Sequence, residues 1–160
     1  MTDAELVCAS TGLADRDGLA SCMALADEAA TRLSLSEEDT FALRLVVEEA
    51  CTNIVAHGYA GHAPGPMSVE MWLTRPAATS GQLTVLIRDR ATPFHPDNAK
   101  EPDLDADADE RAIGGLGWFF IKNLMNEVTY HSEDGGNCLR LVKLLTQLPP
   151  PPPHTTGKTG

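Results

Sequence analysis

At 160 residues, with 42% hydrophobic and 22% charged side chains, the chain has the size and composition of one globular domain. Its formal net charge of −11 sets it against the phosphates of nucleic acid and against anionic membrane surfaces, although backbone N–H groups and a metal can still hold a nucleotide. No run approaches about 18 uncharged apolar residues, and no basic segment precedes an apolar one at the N-terminus, so a soluble, cytoplasmic protein is expected.

In chain order, residues 5–10 (ELVCAS) form a short β-like run and residues 15–18 a loop. Apolar residues then recur at helical spacing over residues 19–33, as Leu19, Met23, Ala26 and Ala30 with Leu25 beside them. Ser36 followed by Asp39 resembles a capping box and starts a second helix, which ends at Gly58 with His57 in its last turn. After the turn-rich AGHAPGP, residues 68–75 and 82–90 alternate apolar and polar positions around a Pro/Gly connector and read as an antiparallel hairpin.

Residues 91–114 lack any apolar period and form a long loop, the kind of segment that inside a compact domain is a functional lid or disordered. Its DLDADADE run is no calcium loop: counted from Asp105, position six is Glu110 rather than Gly and position twelve is Leu116 rather than Glu. GGLG at residues 114–117 opens a third helix over residues 118–127, with Trp118, Ile121, Leu124 and Met125 toward the core, and residues 128–131 and 138–145 form two more strands. Cys8, Cys22, Cys51 and Cys138 show no metal-ligand spacing and read as reduced core thiols. QLPPPPPHTTGKTG at the C-terminus reads as an extended polyproline segment with a flexible end, outside the core. The expected organisation is one domain over residues 1–146 with a Pro-rich tail over 147–160. Because the central hairpin has no crossover, the expected fold class is α+β, a two-layer sandwich of a mostly antiparallel sheet with helices on one face.

The functional argument centres on the second helix. Leu43, Val46, Val47, Ala50 and Ile54 share its apolar face, and Glu49 and Asn53 lie one turn apart on the flank, beside the small residues Ala42 and Ala56. Glu48 points elsewhere, toward an i,i+4 ion pair with Arg44. Spacing alone fits a solvated flank as well as a site. His57 continues the edge, but an Asn is a poor partner for a histidine-bound transition metal and a good hard-oxygen ligand for Mg²⁺; His57 is expected to serve the helix C-terminus. Asp89 falls by alternation on the buried face of Leu83, Val85 and Ile87, where a carboxylate needs a basic partner, a helix N-terminus or a ligand donor. GGLG at a helix start offers bare N–H groups to an anion.

This order of features resembles the GHKL (Bergerat-fold) ATPase superfamily and, within it, the RsbW/SpoIIAB-like anti-sigma factor serine kinases of bacterial partner-switching systems. The resemblance spans residues 6–145. VVEEACTNIVAHGY is similar to the family's N-box, DRATPFHP to its first glycine box, GGLGWFFIKNLMNEV to its second and DGGNCLRLVK to its last strand. It implies ATP and Mg²⁺ as cofactors, Asn53 as the Mg²⁺ ligand, Glu49 as general base and Asp89 as acceptor for the adenine amino group. It places Gly114, Gly115, Leu116 and Gly117 at the phosphates and Arg111 as lid cation for the γ-phosphate. Two positions depart from the pattern: Ala91 stands where the first box usually has Gly, and Asn137 where other members often have Thr.

The implied activity is a protein serine/threonine kinase that phosphorylates a STAS-domain anti-anti-sigma factor and restrains a sigma factor or another regulatory protein. The alternative is a nucleotide-binding anti-sigma-like switch without kinase activity. A histidine kinase is not expected, since no helix pair presents a phosphoacceptor His. Phe41, Leu45 and Val55 are candidates for a homodimer or partner surface, with helix packing as the competing explanation.

Overall fold

The computed structural model describes residues 3–93 and 115–153. Five strands, β1 (Ala4–Leu13), β2 (Pro66–Thr74), β3 (Gly81–Asp89), β4 (Glu127–Glu133) and β5 (Gly136–Leu145), form one sheet in the order β1-β2-β3-β5-β4. Every neighbouring pair is antiparallel. Three α-helices, α1 (Arg16–Arg32), α2 (Glu37–Asn53) and α3 (Gly115–Leu124), accompany it, with a π-helical turn (Ile54–Gly58) extending α2. This is the α+β arrangement that the uncrossed hairpin predicts.

Alternation explains which side of the sheet the helices cover. Met67, Val69, Met71 and Leu73 of β2 and Leu83, Val85 and Ile87 of β3 are all buried, while Glu70, Trp72 and Arg88 between them stay partly or fully exposed. Those inward residues join Leu25, Ala26 and Ala29 of α1, Leu43, Val46, Val47 and Ala50 of α2, and Trp118 and Ile121 of α3 in one core. In β1 the register slips between Leu6 and Cys8, a bulge that lets Val7 and Cys8 both face inward. The carbonyl of Val7 accepts from Arg32 Nη1 at 2.6 Å, so the end of α1 satisfies the kinked edge strand.

The helix starts follow capping chemistry. Ser36 Oγ accepts from the Asp39 N–H at 3.1 Å, as its spacing predicts. Asp15 does the same for α1, accepting from the Gly18 N–H at 2.8 Å, so that helix starts three residues before the first periodic apolar residue, Leu19. Gly18 belongs inside the helix rather than in a loop: a Cβ there would overlap the Leu13 carbonyl.

Several expectations require correction. Arg44 pairs with Asp27 of α1 at 3.0 Å rather than with Glu48, because the α1–α2 seam brings that carboxylate closer than the next turn of its own helix. Cys138 is only half-buried, opposite Arg88 on the side of the sheet away from the helices; the other three thiols are core residues. Cys22 of α1 and Cys51 of α2 are both buried, and the neighbouring Cys22 thiol and burial hold the Cys51 thiol well above its usual range. Burial pushes the Cys8 thiol up to about 11. The core also extends past Leu145. Leu148 is buried, donates its N–H to the Thr79 carbonyl at 2.9 Å and packs where a Cβ on Gly81 would sit. Arg75 Nη1 reaches the Pro149 carbonyl at 3.1 Å, and the prolines after it are exposed.

Candidate functional site

A cavity of about 410 Å³ opens between the C-terminal end of α2 and the sheet. α2 and its π turn contribute Ala50, Asn53, Ile54, His57 and Gly58; the end of β3 contributes Asp89, Ala91, Thr92 and Pro93; Trp118, Tyr130 and Leu139 close it from α3, β4 and β5. Its volume lies in the range of small-molecule and cofactor sites, and its few polar groups converge from two elements. Asn53 and Asp89, far apart in the chain, thus share one wall-to-wall space.

Tyr59 fixes how α2 meets the strands. Its hydroxyl donates to the Pro66 carbonyl at 2.6 Å and accepts from the Arg90 N–H at 2.8 Å, tying the helix end to the start of β2 and the end of β3 at once. Gly58 then lies so close to Ala91 that a Cβ on it would come within 2.8 Å of the Ala91 methyl, and its carbonyl accepts from the Thr92 N–H at 3.2 Å. Ala91 replaces a glycine of the motif without backbone strain. Among the described non-glycine residues only Ser34 and Asp134 have positive φ.

Asp89 ends β3 on the inward face, and its partners are neither a basic residue nor a helix N-terminus. Oδ1 accepts from the Ala91 N–H at 2.8 Å and from Asn137 Nδ2 at 2.7 Å. A neutral amide and a backbone donor satisfy one oxygen, and among the described residues no donor reaches Oδ2. Such an arrangement holds a carboxylate still while leaving half of it for a ligand N–H.

Glu49 sits one helical turn before Asn53, outside the cavity lining, with its carboxyl against the first turn of α3. A Cβ on Gly117 would stand 3.0 Å from Glu49 Cδ, so glycine leaves room for this side chain where it now lies, and a larger residue would turn it aside. Burial, and secondarily the charge of Glu48, raise the Glu49 pKa above the ordinary glutamate value. A carboxyl shifted in that direction is a better proton acceptor near neutrality than a free one.

The structure therefore brings Asn53, Asp89 and Ala91 together around the cavity and sets Glu49 against Gly117. Gly115 and Leu116 open α3, whereas Arg111 and Gly114 lie outside the described residues. Ala42 is buried and Ala56 exposed, and neither lines the cavity; Ala50 supplies the small side chain instead. Trp118 and Tyr130 were not among the sequence-derived site residues. Trp118 read as core, and Tyr130 could have been found as the aromatic on the inward positions of β4, next after Val128. Phe41 is the exposed member of the candidate partner surface, at 63%, while Leu45 and Val55 are half-buried.

Among the described residues no group of three or more His, Cys, Asp and Glu could hold a metal. The donor set nevertheless fits one kind of ion. Asn53 offers a carboxamide oxygen at the cavity wall, and Mg²⁺ keeps most of its ligands as water and phosphate while taking only one or two from protein. No helix of the described residues is long and apolar enough to cross a membrane.

Residues 13–143 match the family described as histidine kinase-like ATPase domain. The chain is 33% identical over 110 residues to the serine-protein kinase RsbW of Listeria monocytogenes, covering 66% of this chain and 67% of that one. It is 32% identical over 111 residues to RsbW of Bacillus velezensis, covering 66% of each chain. With the serine/threonine-protein kinase BtrW of Bordetella bronchiseptica it shares 30% identity over 103 residues, covering 64% of this chain and 68% of the other. The matched span holds α2, β3, α3 and β5, the elements that build the cavity, and the chain belongs to the histidine kinase-like ATPase domain family, among its RsbW-like proteins.

Proposed function

We propose that this protein is a cytoplasmic ATP- and Mg²⁺-dependent protein serine/threonine kinase that acts as an anti-sigma regulatory factor, phosphorylating a STAS-type antagonist and restraining a sigma factor or other regulatory protein. One observation carries the reading: a single cavity joins a carboxamide at the end of α2, Asn53, to a half-satisfied carboxylate at the end of β3, Asp89. The names of the relatives support the choice of a serine or threonine acceptor.

Phosphoryl transfer requires positioning and charge neutralisation more than covalent chemistry from the protein. Asp89 Oδ2 accepts from the amino group of adenine and sets the nucleotide's orientation in the cavity. Asn53 contributes a neutral oxygen to the divalent ion, whose charge supports transfer by offsetting that of the phosphates. Glu49 accepts the proton of the incoming hydroxyl, and Gly117 keeps the space in which it does so. Gly114, Gly115, Leu116 and Gly117 hold the phosphates with backbone N–H groups, and Arg111 offsets their charge.

The experiment is incubation with Mg²⁺, γ-labelled ATP and a STAS-domain protein encoded beside this one. Label on a Ser or Thr of that protein is the expected result. ATP binding without transfer to any STAS partner would overturn the kinase reading in favour of a nucleotide-dependent binding switch.

A further inference from the structure

A nucleotide in the cavity would touch two walls at once, Asp89 at the end of β3 and Asn53 at the end of α2. One wall is a strand end and the other a helix end, so no ladder of paired strands sets the gap between them. The Tyr59 hydroxyl spans that gap. Asn53 and Tyr59 flank the π turn on either side. The hydroxyl accepts from the Arg90 N–H at 2.8 Å, the residue directly after Asp89, and donates to the Pro66 carbonyl at 2.6 Å. Its one proton is thus committed, and a lone pair is filled. Burial raises the phenol above its ordinary pKa, so it keeps the proton that Pro66 receives. Gly65 packs against the ring: a Cβ there would overlap Cε1 and stand 2.6 Å from Cζ and 2.9 Å from the hydroxyl oxygen. The Gly65 carbonyl in turn accepts from the Ala14 N–H at 2.8 Å, which fixes the connector beneath the ring to the end of β1. Tyr59 does not itself line the cavity. Whatever it does for a ligand it does by placing the walls.

Resting on the nucleotide reading above, we propose that Tyr59 is a positioning residue whose hydroxyl sets the spacing between Asn53 and Asp89, so that one ligand can engage both walls together. A nucleotide is two modest ligands joined, a base and a set of metal-bound phosphates. Once one half is seated the other binds as an intramolecular partner, and the gain is greatest when the two half-sites are held at the ligand's own span. Walls that drift apart and together divert part of that gain into fixing them. The base alone needs only its own wall. Loss of the hydroxyl should therefore leave the base contact near its own affinity and reduce the benefit of joining it to the phosphates. The Thr92 N–H still reaches the Gly58 carbonyl at 3.2 Å, and Gly58 still abuts Ala91, so the walls loosen without parting.

The test measures binding of adenosine and of ADP with Mg²⁺ to the whole chain, to Tyr59→Phe and to Gly65→Ala, each checked for folding by thermal melt. The readout is the ratio of the two affinities, the gain from adding metal-bound phosphates to the base. In the wild type this ratio should be at least about 100-fold, the lower end of what joining two contacts supplies. Tyr59→Phe removes the hydroxyl and keeps the ring. Its ratio should fall by about tenfold while adenosine binds within about threefold of wild type, as expected when only the joining is disturbed. The Ala91 N–H still closes onto Asp89 Oδ1 in that variant, so the base contact keeps its own support. Gly65→Ala keeps the hydroxyl and pushes it off its two partners, and should lower the ratio in the same direction. A purely structural role would reduce the folded fraction and weaken both ligands by one factor, leaving the ratio unmoved. An unmoved ratio in Tyr59→Phe, or adenosine weakened as far as ADP, would overturn the assignment; if Tyr59→Phe does not fold, the ratio in Gly65→Ala decides in its place. A wild type that binds neither ligand would sink the nucleotide reading and this inference together, whereas a large wild-type ratio kept intact by the variants sinks this inference alone.

Discussion

Gly117→Ala separates the stability of the site from its chemistry. The added methyl would stand 3.0 Å from Glu49 Cδ and 3.3 Å from Glu49 Cβ, and closer still to Oε2. The obstruction is the end of a flexible side chain, so Glu49 can swing aside at a cost of about 0.5–1.5 kcal/mol in rotamer strain. Alanine in place of glycine within α3 returns roughly 1 kcal/mol through helix propensity. The two offset each other, and the melting temperature should move by no more than about 4 °C, the shift expected for 1 kcal/mol in a domain of this size. Phosphotransfer at saturating ATP should fall by about 10²-fold, because the displaced carboxylate no longer reaches the incoming hydroxyl. The assay is single-turnover transfer to the STAS substrate for Gly117→Ala, Glu49→Gln and the double variant. Transfer by Gly117→Ala within about threefold of wild type, against the 10²-fold or more that a lost base costs, would refute the placement. So would a double variant far slower than either single change.

Two further changes probe the same architecture. Because burial and Glu48 raise the Glu49 pKa, the native state keeps that proton where the unfolded chain has lost it, and stability falls as pH rises from the ordinary glutamate value through the raised one. Glu49→Gln should therefore melt higher than wild type at pH 7 and equally at pH 3; an equal gain at both would show that the carboxyl is not desolvated. Leu148→Ala should cost about 2–4 kcal/mol in urea denaturation, the range for emptying a buried leucine site, and a loss below about 1 kcal/mol would return this residue to the tail.

Strands β2 and β3 were legible in the sequence because one face of each is buried and the other is not, so alternation speaks directly. Helix starts were legible where the cap was followed at once by apolar periodicity, as at Ser36, and obscured where a glycine intervened, as at Gly18. What local pattern could not supply was distance. Arg44 had two acceptors at hand, and only the crossing of α1 over α2 decided for Asp27. Asp89 demanded a partner by burial, yet nothing in its neighbourhood named Asn137, which the register of β5 delivers from beyond the long connection. Glu49 and Asn53 were visible as a helical pair, but the motif resemblance rather than periodicity tied them to Asp89. Leu148 was hidden by composition, since a proline run beside a single leucine looks like tail until the Thr79 carbonyl is seen to hold it.

The π turn at Ile54–Gly58 makes the end of α2 unlike an ordinary helix terminus. The wider winding uses about one residue more than an α-helical turn to come round to nearly the same direction. A variant one residue shorter in this turn could therefore relax into regular α-helix and still bring Gly58 against Ala91 and the Tyr59 hydroxyl to Pro66 and Arg90. The same deletion in the middle of α2 would turn everything after it by about 100°, the angle per residue of an α-helix, and break those contacts together. The turn is thus a place where the chain can lose a residue without losing the site, so here the identities of Gly58 and Tyr59 should be held more strictly than length.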